Sequence, residues 1–262
     1  MNLINNKYKV IEKLGAGCFG EIYKGENIRT QEHVAIKVES IANNLKLLKN
    51  ESVVYQYLAG LQGIPNVKWF GKDTVNYYMV LNLLGQSLQT LLNSRKIFSL
   101  KLVLQIGLQI ISILKSIHEK GLVHRDIKPD NFLLGSNKKQ IYIIDFGFCK
   151  SLENVTNAKK TNGLIGSLTY ASLNAHNYTE LSYCDDLESL GYMLIYFYQG
   201  YLEWQKTEDV TLIIQMKQDL IINEKIPCVL RDFLRSIRHL TFKETPDYNC
   251  LINLFKREIE NM

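Results

Sequence analysis

The chain of 262 residues lacks any pair of cysteines at C-x-x-C spacing. Its five cysteines (Cys18, Cys149, Cys184, Cys228 and Cys250) are odd in number and irregularly placed. That argues against a disulfide framework and a thiolate zinc site, and suggests a reducing compartment. No apolar core follows the first residues, MNLINNKYKV, so a secretory signal is not expected. The most apolar stretch, 190–198, is far shorter than the roughly 20 residues a bilayer span needs and reads as a buried helix. Block charge is missing too. The formal net charge is +5 with Lys and Arg interleaved among Asp and Glu, and the longest basic run is Lys-Lys. This suits an enzyme handling anionic ligands but is too weak to argue for nucleic acid. There are no repeats, low-complexity segments or long linkers. The expectation is a soluble intracellular monomer, in cytoplasm and/or nucleus, with no nucleic-acid or membrane partner.

What is present is ordinary globular composition, 46% hydrophobic and 22% charged, enough for a sizeable core. Residues 8 to about 40 alternate apolar and polar positions in short runs separated by glycines, which predicts antiparallel strands; 77–81 predicts another. One helix, around 45–58, interrupts them. From Ser99 the pattern turns helical: Leu102, Ile106, Ile110, Ile113 and Ile117 recur at spacings of three and four, Ser99 can cap the start and Gly121 can end the helix. Short strands are expected near 132–134 and 141–144, then helices to the end. A sheet-rich N-terminal part and a helical C-terminal part, connected near 82–86, suggest two lobes.

Gly15-Ala16-Gly17-Cys18-Phe19-Gly20 is a G-x-G-x-x-G run, whose glycines let backbone approach a polyphosphate. Dinucleotide folds and plain turns use the same run. A dinucleotide fold needs a helix directly after it, whereas Glu21-Ile22-Tyr23-Lys24 reads as strand, favouring a hairpin over phosphates. Lys37, in Val34-Ala35-Ile36-Lys37, sits between apolar neighbours; alone it also reads as a strand-edge surface lysine. Glu51 falls in an apolar stripe with Leu47, Val54 and Leu58, and a buried carboxylate needs a partner. Lys37 can supply it and also reach a ligand phosphate.

His124-Arg125-Asp126-Ile127-Lys128-Pro129-Asp130-Asn131 lies between a helix and a short strand. Asp126 can accept or orient the proton of an incoming hydroxyl. Lys128 can neutralise charge on a transferred phosphoryl group, and Asn131 offers a hard oxygen to Mg²⁺. His124 reads as a brace for the loop. Asp145-Phe146-Gly147 closes an apolar strand, where an acid can hold a metal bridging β- and γ-phosphates.

In this order the motifs resemble the protein kinase superfamily, whose signature set is a standard one. The resemblance spans nearly the whole chain and implies an α+β, two-lobed kinase fold. A small antiparallel-sheet N-lobe with one main helix (about 1–81), a hinge (about 82–87) and a larger, mostly helical C-lobe (about 88–262) would form one catalytic domain, 1–262. It implies ATP and Mg²⁺ in the cleft and protein substrates with Ser/Thr acceptors. Lys37 would hold the α/β-phosphates, Asp126 would be the catalytic base, with Lys128 and Glu51 also catalytic, and Asn131 and Asp145 would be metal ligands. The nucleotide-lining set would be Leu14, Gly15, Ala16, Gly17, Cys18, Phe19, Gly20, Glu21, Ile22, Ala35, Lys37, Leu81, Asn82, Leu83, Leu84, Asn131, Leu133 and Asp145, with Leu81 limiting the back of the adenine pocket. Lys128 after the H-R-D is the serine/threonine version of the loop. A pseudokinase scaffold of the same fold is the alternative; the presence of Lys37, Asp126 and Asp145 speaks against it.

Three segments are similar to the casein kinase I family in particular: Leu83-Leu84-Gly85-Gln86-Ser87-Leu88, the HRDIKPDNFLL run from His124, and Asp185-Asp186-Leu187-Glu188-Ser189-Leu190-Gly191-Tyr192. Tyr170-Ala171-Ser172-Leu173-Asn174 stands where most kinases have A-P-E, and Pro246-Asp247-Tyr248 also fits. By that likeness Asp186 braces the catalytic loop. The chain departs from the family at Thr169 and at Tyr183-Cys184, where arginines associated with acidic or phosphorylated substrates are common. Weaker preference for phosphate-primed substrates is therefore expected, with Lys217 or Lys159-Lys160 as compensating cations. The end at Met262 leads to the expectation of an enzyme without tail autoinhibition.

Overall fold

The alternating runs of the first 82 residues pair into a sheet whose buried positions concentrate within 34–39 and 79–81, whereas 9–17 stay mostly exposed. The computed structural model describes residues 3–17, 20–42, 47–153, 155 and 157–262. Strands β1 (Tyr8–Gly17), β2 (Gly20–Asn27), β3 (His33–Ser40), β4 (Val67–Lys72) and β5 (Asn76–Asn82) make an antiparallel sheet in the order β1-β2-β3-β5-β4. Tyr8, Val34, Ile36 and Val80 are its buried centre, with Tyr23, Trp69 and Tyr78 packed around them. β4 was not expected from the sequence.

Helix α1 (Leu47–Tyr57) connects β3 to β4. Its buried residues are Leu48, Glu51, Ser52 and Tyr55, with Leu58 buried just beyond its end. The expected stripe is thus corrected: Glu51 and Leu58 stay inside, but Leu47 and Val54 are only half-buried. No acid lies in the helix's own first turn; Glu39 on β3, itself buried, accepts the backbone N–H groups of Leu47 and Leu48 at 3.2 and 2.9 Å. A carboxylate there satisfies otherwise unpaired amides and complements the helix dipole.

Helices α2 (Leu88–Arg95) and α3 (Leu100–His118) come next, capped by the Ser87 and Ser99 hydroxyls. By length and composition α3 could cross a membrane, and it is a longer apolar segment than the 190–198 stretch singled out from sequence. It is a core helix here: ten of its residues are buried, and it packs on α5 and α8. Strand β6 (Leu122–Val123) leads into the 124–131 loop, and β7 (Phe132–Leu134) and β8 (Ile141–Ile143) form a ribbon. β9 (Lys150–Ser151) pairs with β6. Then follow α4 (Leu173–His176), α5 (Tyr183–Gln199), α6 (Val210–Asp219), α7 (Cys228–Arg238) and α8 (Tyr248–Glu260). α5 is almost wholly buried and carries a capping box of Ser182 and Asp185. A Cβ on Gly191 would stand 2.4 Å from Leu234 Cδ2, so glycine there lets α7 pack onto α5.

Two compact units result: Met1–Gly85 with Leu133–Gly147, and Gln86–Phe132 with Phe148–Met262. The first thus takes in a second chain segment that the expected division at 82–87 left elsewhere. Backbone bonds explain it: Gly85 N–H donates to Leu134 O at 2.7 Å, and Ile143 N–H to Gly63 O at 2.9 Å.

Candidate active site

In the first unit three charged side chains from separate elements meet. Lys37 points inward from β3, and its Nζ lies 2.6 Å from Glu51 Oε2 on α1 and 3.0 Å from Asp145 Oδ1. Lys37 is 7% exposed and Glu51 1%. Burial works against the lysine's charge, but the two carboxylates outweigh it and its pKa is raised. Burial pushes Glu51 up to about 7 against the pull of Lys37; with one ammonium facing two acids, the more deeply buried one pays more for ionising. Tyr55, one helical turn after Glu51, holds the neighbouring chain in place. Its hydroxyl accepts from Asp145 N–H at 3.2 Å, and its ring meets Phe146 edge-on at 4.8 Å. Asp145 has φ +69°, a left-handed conformation fixed by these contacts.

The β1–β2 hairpin carries the glycine run, with Gly17 opposite Gly20. A Cβ on Gly15 or Gly17 would meet nothing within 4 Å among the described residues, so these two leave space beside the backbone there. Gly20 differs. It has φ +116°, and a Cβ would fall 2.0 Å from Val38 O on β3. Its glycine is required by the sheet itself. Cys18 and Phe19 lie outside the described residues.

In the second unit the 124–131 loop hangs from one carboxylate. Asp186, on α5, accepts the backbone N–H of His124 and of Arg125, both at 2.8 Å. His118 Nε2 lies 2.9 Å from the same carboxylate and is the donor there, while its Nδ1 is paired with Tyr248 Oη at 2.6 Å. Burial opposes the charge of Asp186, but the His118 bond and these donors prevail and keep its pKa below the usual carboxylate range. His124 is buried too, and its Nδ1 accepts from Asp126 N–H at 3.3 Å. Within the loop, Asp126 Oδ2 takes Lys128 Nζ at 2.6 Å and Asn131 Nδ2 at 3.1 Å, and Asn131 Nδ2 also reaches Asp126 O at 2.8 Å. The asparagine's nitrogen is thereby committed, leaving its oxygen as the group to offer a hard cation.

A paired lysine beside a strand-end acid, and an aspartate, lysine and asparagine locked in one loop, are the working parts of phosphoryl transfer. The family model for the protein kinase domain matches residues 8–246. The chain belongs to the protein kinase family. Its fold is the kinase fold, with an N-terminal antiparallel five-stranded sheet and a helical C-terminal part. Membership implies phosphotransfer to proteins, with ATP and a divalent metal. The residues fit these groups: Gly15 and Gly17 leave room for phosphates, and Asn131 Oδ1 and Asp145 Oδ2 take no hydrogen bond among the described residues. The described residues contain no group of three or more His, Cys, Asp or Glu that could hold a metal ion, but Mg²⁺ needs only one or two protein oxygens and keeps water and phosphate for the rest.

Other expected residues of the kinase are placed as follows. Leu81 is buried; Ile22, Ala35, Asn82, Leu83, Leu84 and Leu133 are half-buried; Leu14 and Ala16 are exposed. Glu21 is tied across the hairpin to Lys13 and accepts from Tyr23 Oη at 2.6 Å. Asn82 Oδ1 accepts from Asn66 N–H at 3.0 Å, a bracing role. Lys217 does not fit its expected place as a surface cation: it is 0% exposed. Tyr183 stacks on His118 at 4.8 Å, and Cys184 is buried beside Ser182.

Several partners of these residues carry little signal in the sequence. Glu180 receives Lys150 Nζ at 2.6 Å and Arg125 Nη1 at 3.5 Å, so the basic pair next to the catalytic loop already holds a carboxylate. Ser167 Oγ donates to Asp126 Oδ1 at 3.0 Å. His118 could have been found from its position on the buried face of α3, one residue after Ile117; Glu180 and Ser167 lie in irregular chain and carry no such signal.

Proposed function

We propose that this kinase is a serine/threonine kinase of casein kinase I type that works with Mg²⁺. The observation that carries the serine/threonine reading is the 2.6 Å pairing of Lys128 with Asp126. As the acceptor oxygen bonds to the γ-phosphorus, the bond from that phosphorus to the β–γ bridging oxygen breaks and ADP leaves. Asp126 orients the acceptor hydroxyl and takes its proton. Lys128, already beside that carboxylate, offsets negative charge on the phosphoryl oxygens in transit. Lys37, held by Glu51, fixes the remaining phosphates. Asp145 in the first unit and Asn131 in the second are the residues that would each offer an oxygen to Mg²⁺, which would supply positive charge for the phosphate oxygens.

The casein kinase I reading is supported by how its signature segments bond to each other. Ser172 Oγ donates to Asp185 Oδ1 at 2.7 Å, and Leu173 N–H donates to Glu188 Oε2 at 3.1 Å. Glu188 also accepts from Tyr192 Oη at 2.7 Å and Arg238 Nε at 2.9 Å. One acid on α5 thereby ties Leu173 to the helical core, in a segment without A-P-E.

A peptide-library profile with ATP and Mg²⁺, run beside Asp126→Asn, tests the proposal. Phosphate on serine and threonine, lost in the variant, is the expected result. Phosphotyrosine as the main product, or a wild-type protein that binds ATP and transfers nothing, overturns it.

A further inference from the structure

Helix α6 lies largely in the open, and only Ile213 and Lys217 among its residues are buried. An ammonium without water needs every N–H matched. Lys217 Nζ has three partners at hydrogen-bond distance: Leu168 O at 3.2 Å, Ala171 O at 2.7 Å and His176 Nε2 at 2.9 Å. The rings of Tyr192 and Trp204 stand 4.9 and 5.2 Å from it, within cation–π range. Trp204 adds its own bond, Nε1–H to Thr169 O at 2.7 Å. Two side chains thus take the carbonyls of Leu168, Thr169 and Ala171.

Just before this stretch the chain touches the catalytic loop. Ser167 Oγ donates to Asp126 Oδ1, and a Cβ on Gly166 would lie 2.5 Å from Arg125 O.

We propose that Lys217, together with Trp204, is a positioning residue that holds residues 168–171 in register with Asp126 and so sets how tightly a polypeptide acceptor binds. This rests on the transferase reading above. Burial lowers the pKa of Lys217 to about 7, with Glu188 opposing the shift and Arg238 adding to it. Burial, then the charge of Lys217, lowers His176 to about 4, so the imidazole is neutral. A neutral amine keeps two N–H groups for the carbonyls and turns its lone pair to His176 Nε2–H. The anchor therefore holds in both protonation states.

The test compares wild type, Lys217→Met and Trp204→Phe on the best serine peptide from the library profile. The expected result for Lys217→Met is a rise of about tenfold in peptide KM, with ATP KM and peptide-independent ATP hydrolysis unchanged. Amide hydrogen exchange should quicken across 168–171. Trp204→Phe, which keeps a ring but loses the N–H, should raise peptide KM about threefold. Unchanged peptide KM in folded Lys217→Met, or equal losses toward peptide and ATP, overturns the proposal. If Lys217→Met loses its near-ultraviolet circular dichroism, Trp204→Phe decides by the same criteria. A wild type that transfers nothing refutes the transferase reading instead, and hydrogen exchange then decides whether Lys217 anchors the segment.

Discussion

The two charged clusters of this kinase are built in opposite ways. Lys37, Glu51 and Asp145 come from a strand, a helix and a strand end, and side-chain ion pairs join them while Tyr55 holds the chain at Asp145. Asp126, Lys128 and Asn131 come from a single short loop, whose backbone hangs on Asp186. The first cluster depends on packing of distant segments, and the second on one distant brace under a local arrangement. Damage to the first should therefore fall on function before stability, whereas removing the brace of the second should cost both.

The largest break is expected at Asp126→Asn, which should lower kcat by about 10³-fold with ATP binding retained, as measured by phosphopeptide formation and nucleotide titration. Asp186→Ala comes next. It strands the buried His124 amide, the part-buried Arg125 amide and His118, and should cost about 3–5 kcal/mol in a denaturant titration. Glu51→Gln should leave that titration nearly unchanged yet lower kcat/KM by about 10²-fold through a misplaced Lys37. A stability loss at Glu51→Gln matching that at Asp186→Ala would erase the contrast.

A smaller effect is expected from pH. Below about 7 Lys217 is protonated in both folded and unfolded chains, so it adds no slope. Between about 7 and the ordinary lysine value of 10.5 the unfolded chain keeps a proton that the folded chain has released. Unfolding free energy therefore rises with pH there, by up to about 1.4 kcal/mol per unit, and Lys217→Met should lack that increment. Comparing denaturation midpoints of the two proteins on either side of neutrality checks the sign. The smallest expected effect is priming: matched peptides with and without an upstream phosphate should differ by less than about threefold in kcat/KM, since Tyr183 stacks on His118, Cys184 is buried and neither supplies an arginine's charge. A strong primed advantage would show that another cation, such as Lys159 or Lys160, takes the role.

Much of the architecture was legible because its signals are local. Period-two runs marked β1, β2, β3 and β5, while Ser99 and a three-four spacing marked α3. β4 escaped because Val67–Lys72 sets two aromatics side by side and includes Gly71, which lies under the Trp69 ring and reads as a turn. The stripe on α1 was misjudged by one position because Glu51 and Leu58 belong to either version, and only tertiary contact chooses Leu48 and Tyr55 over Leu47 and Val54. In the site, the 124–131 loop could be read because its groups are contiguous. Lys217 could not: a lysine on a helix with mostly exposed neighbours reads as solvated, and what encloses it, Tyr192 and Trp204, comes from elsewhere in the chain.

Gly20 gives the glycine run a second meaning. Any side chain there must displace the carbonyl of Val38, the residue directly after Lys37. A substitution at this glycine would thus shift the lysine's strand as well as the hairpin, and weaker nucleotide binding in such a variant would report a moved ammonium rather than a lost phosphate contact. Gly15 and Gly17, where an added Cβ meets no described residue within 4 Å, are the positions where mutagenesis would test a phosphate contact without disturbing the sheet.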